Sequence, residues 1–268
     1  MNGLELKNVT YTYPNGFTAL ENINMSFEKG ESAAIIGQNG AGKTTAVKLM
    51  NGLLRPTDGE IHVADWNTKN YTTAQLSKRV GYVFQNPDDQ IFHSTVYDEI
   101  EFGPKNLKLP KQKVKENTVK AIEITGLQSY VDEHPYNLPY SMRKFITIAS
   151  ILSMDPDIII LDEPTAGQDL PSLDRLSLII STLQKENKII ITITHDMEFV
   201  VNNFKRVIVM ANKKKIADST KWDVFWDLDI LQKSNLKQPS ISSLSRSLGI
   251  KGKVLNINEL IQELQNME

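Results

Sequence analysis

Polar and apolar positions along the chain follow two periods. Residues 4–12 alternate with period two, as a half-buried strand does, and residues 19–27 alternate again through Leu20, Ile23, Met25 and Phe27. Tyr13-Pro14-Asn15-Gly16 between them is a turn, so two antiparallel strands open the chain. Short apolar runs at residues 33–36, 80–84, 158–161 and 189–194 each read as a strand, the run at 158–161 as a central parallel one. Thr57-Asp58-Gly59-Glu60 reads as a turn before a short strand at residues 61–63. Residues 206–210 and 215–217, joined across Asn212-Lys213-Lys214, read as a hairpin. Helical spacing governs residues 46–50, most of 90–152, and 170–186. Within it, Val114, Val119, Ile122 and Ile124 give residues 111–125 an apolar face. Beyond residue 221 come a cluster of Trp222, Phe225 and Trp226, a serine-rich stretch broken by Pro239, and a short amphipathic helix at 258–267. That helix has Leu260, Ile261 and Leu264 on one side. The pattern predicts a domain over residues 1–220, with a helical subdomain at about 90–153, and an appendage at 221–268 that packs on the core or on a partner.

Composition narrows the class. The chain has 268 residues, 40% of them hydrophobic, enough for one large α/β domain with an appendage. A formal net charge of −2 argues against a protein that coats nucleic acid. Cysteine is absent, which excludes disulfides and makes the cytosol the natural compartment. Residues 1–8 are short and mixed, unlike a secretory leader. No apolar stretch approaches the roughly 18 residues of a membrane helix. Work at a membrane would therefore require docking to a protein that spans it.

The chemistry centres on residues 37–44, Gly37-Gln38-Asn39-Gly40-Ala41-Gly42-Lys43-Thr44, which fit the phosphate-binding pattern G-x-x-x-x-G-K-[ST]. A triphosphate needs many N–H donors aimed at one point, and glycines let the backbone curl closely around it. Lys43 supplies a charge to the outer phosphates, and the Thr44 hydroxyl can ligate magnesium. The apolar strand before this loop and the helix after it, which includes Thr45, aim the helix's positive end at the phosphates. ATP and Mg2+ are the expected ligands.

Polar residues at strand ends supply the remaining candidates, because ligands in open parallel sheets lie beyond the carboxyl ends of the strands. Gln85 follows the run at 80–84 and is open to two readings, a contact to magnesium or the attacking water, or an exposed loop amide. Asp162, at the end of the run at 158–161, can hold magnesium, and Glu163 can orient and polarise water. His195 ends the last run, whereas His62, His93 and His134 read as surface residues. Tyr13 is either a platform for an adenine ring or a turn aromatic that covers the core edge.

In this order the pieces resemble an ABC transporter ATPase subunit over residues 4–218: the phosphate loop, Gln85, Ile160-Leu161-Asp162-Glu163-Pro164, a loop ending in Asp169, and His195. The expected fold is α/β, a P-loop NTPase with a mainly parallel core sheet, an N-terminal antiparallel β-subdomain and a helical subdomain. Val83-Phe84-Gln85-Asn86-Pro87-Asp88-Asp89-Gln90-Ile91-Phe92, followed by Glu101-Phe102-Gly103-Pro104, resembles the ATPases of energy-coupling-factor importers, which take up vitamins or cobalt and nickel ions in prokaryotes. The resemblance implies that Tyr13 stacks on the base and that Gln85 and Asp162 serve the metal. It also implies Glu163 as catalytic base, His195 as γ-phosphate switch, and Asp169 as the coupling between two subunits.

One departure stands out. The family's signature LSGGQ is replaced by Leu138-Pro139-Tyr140-Ser141-Met142, and Gln168 stands where the family carries leucine. Proline has neither hydroxyl nor N–H, and tyrosine adds bulk where backbone must approach a phosphate. In the family each ATP lies between the phosphate loop of one subunit and the signature of the other. The expectation is therefore a heterodimer with an ATPase of intact signature, docked on a transmembrane coupling protein and a substrate-binding membrane protein at the cytoplasmic face of the membrane, with no nucleic-acid partner. The rivals are a soluble ABC ATPase outside transport and a nucleotide-binding subunit with little turnover.

Overall fold

The structure, a computed structural model, describes residues 3–265. Strands β1 (Leu4–Thr12) and β2 (Thr18–Phe27) pair antiparallel, as their alternation predicts. The buried strand β3 (Ser32–Ile36) leads to helix α1 (Lys43–Met50). Strands β4 (Asp58–Val63) and β5 (Trp66–Asn67) then return to β1, giving a four-stranded antiparallel sheet of order β2-β1-β4-β5. β4 begins inside the stretch that reads as a turn, and Gly59 is the reason. Its φ is +81°, and a Cβ there would run into the backbone carbonyls of Lys7 and Asn8, where β1 shifts register. The glycine makes room for an irregularity in a strand pair.

Helix α2 (Thr73–Leu76) precedes β6 (Val80–Val83), and helices α3 (Val96–Asn106), α4 (Lys111–Thr125) and α5 (Tyr140–Leu152) pack on one another before β7 (Ile158–Asp162). Helix α6 (Leu170–Lys185), strand β8 (Ile189–Ile193) and helix α7 (Met197–Asn203) follow. β9 (Arg206–Ala211) and β10 (Lys214–Thr220) form a hairpin whose turn residues, Asn212 and Lys213, both have positive φ, the geometry that matches strand twist. The second sheet has the order β10-β9-β3-β8-β7-β6 and is parallel except at β10.

Burial on both faces explains the apolar runs. Ala34, Ile36, Ile159, Leu161 and Ile190 face a core shared with α5 and α6, while Ala33, Ile35, Ile158, Ile160, Ile191 and Ile193 face one shared with α1 and the antiparallel sheet. The chain ends in α8 (Lys221–Trp226), α9 (Leu228–Ser234), α10 (Ser240–Ser247) and α11 (Ile257–Gln265). α8 and α9 lie against β9 and β10, and Ile250, Val254 and Leu260 form a small cluster with Trp226.

The structure refines several readings of the sequence. The buried face of α4 runs through Val114, Thr118, Ala121, Ile122 and Thr125, and Val119 is 40% exposed. Helix geometry carries that stripe from Val114 at spacings of four, seven, eight and eleven, which leaves Val119 off the face. On α11 only Leu260 is buried; Ile261 and Leu264 are exposed, and residues 266 and 267 lie outside the described residues. Pro239 stands in the gap between α9 and α10, where the helical path is broken as expected, and is the N-cap of α10. His134 is exposed, but His62 and His93 are both half-buried, and His93 packs on Phe92 and Phe102, with Nδ1 3.2 Å from the buried Glu99 carboxylate.

The corrected face of α4 predicts opposite outcomes at neighbouring positions. Ile122→Ala should destabilise the protein by about 2–5 kcal/mol through loss of buried volume. Val119→Ala should change stability by less than about 0.5 kcal/mol. Urea unfolding monitored by circular dichroism checks both, and equal losses would contradict this packing.

Candidate functional site

β3 lies between β8 and β9, so its carboxyl end opens on the same edge as those of β6, β7 and β8. The chain leaves β3 at Gly37 with φ +152°, where a Cβ would run into the Met210 carbonyl of β9; only glycine fits. α1 then starts at Lys43. Its N-cap, Gly42, makes no side-chain bond, and no acidic residue occupies the first turn, so the helix's first N–H groups and positive end stay open to an anion. Lys43 is buried, and its Nζ donates to the carbonyls of Gly37 at 2.7 Å and Gln38 at 3.1 Å. An ammonium has three protons, so one remains for a ligand. Burial lowers the Lys43 pKa, against the pull of Glu163 and Asp162.

Asp162 ends β7, nearly fully buried. Its Oδ2 accepts from the Tyr82 hydroxyl at 2.7 Å, and its Oδ1 is buried without a hydrogen-bond partner of full geometry. Burial raises its pKa, opposed by the Tyr82 and Thr44 hydroxyls and by the charges of Lys48 and Lys144. Glu163 follows with φ +48°, held there by its N–H on the Ile193 carbonyl at 2.8 Å. Its Oε2 meets His195 Nδ1 at 2.8 Å and accepts the His195 N–H at 3.3 Å. An ionised carboxylate only accepts, so in this pair Nδ1 carries the proton. The rest of the His195 side chain is exposed.

A cavity of about 290 Å³ joins these parts. Tyr13, Gln85 and Glu163 meet there with Asn39, Gly40, Ala41, Gly42, Lys43, Thr44 and Thr45. Gly37 and Gln38 lie behind it as the carbonyls that seat Lys43. Tyr13 stands at its wall, with its hydroxyl 3.1 Å from Thr45 Oγ1 and its ring edge-on to Tyr11. Asp169 lies apart from this cavity. It caps α6, accepting the Ser172 N–H at 3.0 Å, and the Ser172 hydroxyl together with that N–H lowers its pKa.

The donor set suits magnesium. An open, buried carboxylate oxygen on Asp162 beside the Thr44 hydroxyl is what an ion that keeps waters and phosphate oxygens needs from a protein. Among the described residues, no group of three or more metal-binding side chains offers an all-protein cage.

Three residues of the site escape a reading by motif. Phe17 lines the cavity, exposed, its ring 6.4 Å from that of Tyr13; its signal is only an aromatic just after the turn. Tyr82 anchors Asp162 from the neighbouring strand, on a diagonal: its ladder partner is Ile160, two residues before Asp162. Lys144, 1% exposed, donates from α5 to the Gln85 carbonyl and, at 3.2 Å, to the Glu163 carbonyl. Burial pushes its pKa down to about 8, against the pull of Asp162 and Glu163.

The start of α5 carries the odd signature. Pro139 is the N-cap and offers no side-chain bond. The Tyr140 ring fills the space a side chain on Gly167 would need, and its hydroxyl reaches the Gln85 carbonyl at 3.5 Å. Ser141 is half-buried, and Met142 packs on the core. Gln168 has both amide atoms buried without a partner.

Comparison with known proteins agrees with this geometry. The family model described as ABC transporter matches residues 20–166. A putative ABC transporter ATP-binding protein of Pyrococcus furiosus is 40% identical over 97% of this chain and 98% of its own length. An energy-coupling factor transporter ATP-binding protein of Methanothermobacter thermautotrophicus is 36% identical over 97% of this chain and 84% of its own. Among solved structures, cbiO1 from Clostridium perfringens, described as part of the ABC transporter complex cbiONQ, superposes with a TM-score of 0.78 at 33% identity, covering 91% of this chain and 99% of its own. A dimeric ATP-binding cassette in a post-hydrolysis state, bound to ADP and Pi, gives a TM-score of 0.73 at 25% identity over 81% of this chain and 98% of its own.

Gln168 yields a prediction of its own. A buried amide without partners forfeits about 1–3 kcal/mol of desolvation. Gln168→Leu should therefore raise the thermal midpoint by a few degrees, as read by differential scanning calorimetry. A lowered midpoint would mean the amide has partners after all.

Proposed function

Since the chain belongs to the ABC transporter family of ATP-binding proteins, we propose that it powers import of a vitamin or a transition-metal ion through a separate membrane-spanning partner, as one half of an ATPase heterodimer. ATP binding and hydrolysis follow from the family. The observation that carries the finer reading is a phosphate cavity with its full set of polar groups in the same chain as a start to α5 that lacks the signature's serine and glycines. The names of the energy-coupling factor relatives and of the cbiONQ neighbour support the choice of transport system.

In this reading the phosphate loop and the first turn of α1 bind the triphosphate, and Lys43 turns its remaining proton to the outer phosphates. Tyr13 offers a ring face to the base. Glu163 Oε2 is held by His195, which leaves Oε1 to accept a proton from water in the cavity, an effect typically worth about 10² to 10⁴ in rate. His195 holds Glu163 as drawn. With Nδ1 protonated, its neutral Nε2 can only accept, so service as a γ-phosphate switch requires the imidazolium or a turn of the ring. Gln85 orients the same water or reaches the metal. Magnesium, held by Thr44 and Asp162 with Gln85 near, would neutralise charge on the phosphates.

Residues 1–220 serve as the ATPase domain in this scheme, with the helical part at about 90–153. The stretch after residue 220 offers a contact to the second subunit, and Asp169 at the start of α6 couples the two. No helix among the described residues is long and apolar enough to cross a membrane. Attachment to the cytoplasmic face therefore comes through the partner. The surface that suits it is a groove between α2 and α3, lined by Gln75, Lys78, Phe92, Phe102 and Asn106. Gln90 links groove to cavity: it lines the groove while its Oε1 accepts the Phe84 N–H at 3.2 Å, next to Gln85.

The test is asymmetry in the complex purified through a tag on this chain. Glu163→Gln should abolish most turnover while ATP still binds, and the matching glutamate change in the partner should cost far less. Equal losses would overturn the asymmetric heterodimer, and parent-rate hydrolysis by Glu163→Gln would remove it as the base. The reading with little turnover, favoured by Pro139 and Tyr140 alone, predicts the reverse order of losses.

Phe92 tests the groove. It is 63% exposed, so Phe92→Asp leaves the core intact. Transport in proteoliposomes should fall by about tenfold or more if this apolar anchor is lost, the scale of a hot-spot side chain. Undiminished transport would place the partner elsewhere.

A further inference from the structure

The parallel ladder between β6 and β7 ends at the pair Val83 and Leu161. Beyond it the two strand tips diverge into separate loops. Among the described residues no backbone hydrogen bond joins the loop at Gln85 to the loop at Glu163; the Glu163 N–H instead goes to β8. The side chain that hydrogen-bonds to both is Lys144. Lys144 Nζ sits between the Gln85 and Glu163 carbonyls and donates to both. It comes from a third element, the second turn of α5, and is nearly free of contact with solvent.

Resting on the reading that Glu163 activates water in this chain, we infer that Lys144 is a positioning residue for hydrolysis. Its ammonium fixes the spacing of the two strand tips, so that the Gln85 and Glu163 side chains face one phosphate cavity, and ties that spacing to the position of α5.

The argument is geometric. Gln85 and Glu163 both line the cavity, yet they leave strands that no longer hold each other. A carbonyl at each tip points at the same ammonium, so the two backbones cannot separate without breaking a charge-assisted bond. The ammonium also lies close enough to Asp162 and Glu163 to offset their charges, although its protons go to neither. Two neighbours on α5 tighten the same joint. Tyr140 reaches the Gln85 carbonyl, and Arg143 pairs with Asp88 at 2.8 Å, just beyond Gln85. A shift of α5 is thereby passed to the water-activating carboxylate through the backbone and needs no contact with nucleotide. Lys144 is buried and does not line the cavity, so it acts only through Gln85 and Glu163.

The experiment uses the complex purified through a tag on this chain and measures steady-state ATPase activity and Mg-ATP affinity. Lys144→Met removes the donor; Lys144→Gln keeps a donor too short to span both carbonyls. Both should lower kcat about tenfold or more with KM within about twofold, the signature of an interaction that matters after binding. Lys144→Arg retains a cation with several donors and should stay within about threefold of the parent rate. If Lys144→Met does not assemble, Lys144→Gln decides alone. Parent-like kcat in the Met or Gln variant overturns the inference, as does an affinity loss that matches the rate loss and that arginine does not restore. Glu163→Gln runs alongside. An inactive Glu163→Gln with a parent-like Lys144→Gln removes this inference only. An active Glu163→Gln removes the base assignment, while the lysine comparison still reads the joint.

Discussion

Four ionisable side chains, Lys43, Lys144, Asp162 and Glu163, are buried together at the carboxyl edge of one parallel sheet. Taking a charge out of water costs several kcal/mol unless something compensates it. Here the two signs compensate each other at a distance: burial lowers both lysines, and Asp162 and Glu163 pull both back. The protons of the lysines nevertheless go to backbone carbonyls, at Gly37, Gln38, Gln85 and Glu163. Charge balance is thus separated from hydrogen bonding. The lysines hold backbone in place, and the carboxylates keep oxygens free for what enters the cavity.

That separation is possible only on this sheet. Parallel strands bring their carboxyl ends to one edge, and their last carbonyls have no further ladder partner. Isoleucine and alanine fill both faces, so the edge is the one place where polar groups from β3, β6, β7 and β8 can meet. Tyr82, buried beside Asp162, marks the limit of this zone. Burial and the carboxylate's charge push its hydroxyl pKa up, so it stays a donor and fixes one oxygen of Asp162.

Much of this was legible in the sequence because it is local. A buried strand in a two-faced sheet is a run of apolar residues, and a phosphate loop is a run of glycines ending in lysine; each signal is complete within ten residues. Glu163 could be placed beside the loop from its strand end, whereas Gln85 and the turn residue Tyr13 stayed open to two readings until the family resemblance favoured the site; all three line the cavity. What stayed hidden depends on contacts across the chain. Lys144 looks like a charge on a solvated helix until α5 is laid over the tips of β6 and β7. Val119 leaves the expected apolar face of α4 and Thr118 is buried in it, because a helix face is set by angle and a threonine can be buried when neighbours cover it. Gly59 carries the composition of a turn and the position of a strand.

The start of α5 shows how one set of substitutions acts in two directions. On the proposed reading, a serine and two glycines there would serve a nucleotide bound by the partner. Pro139 removes the hydroxyl, but it sits at the N-cap, so the first N–H groups of the helix remain. The larger change is Tyr140. Its ring occupies the space beside Gly167, and its hydroxyl is directed to the Gln85 carbonyl that Lys144 also holds. On the proposed reading, the side chain that would block the outward approach of a phosphate is the same one that fastens the helix inward to this chain's own strand tips. On that reading, the asymmetry would be a redistribution of contacts from the partner's nucleotide to this chain's own strand tips.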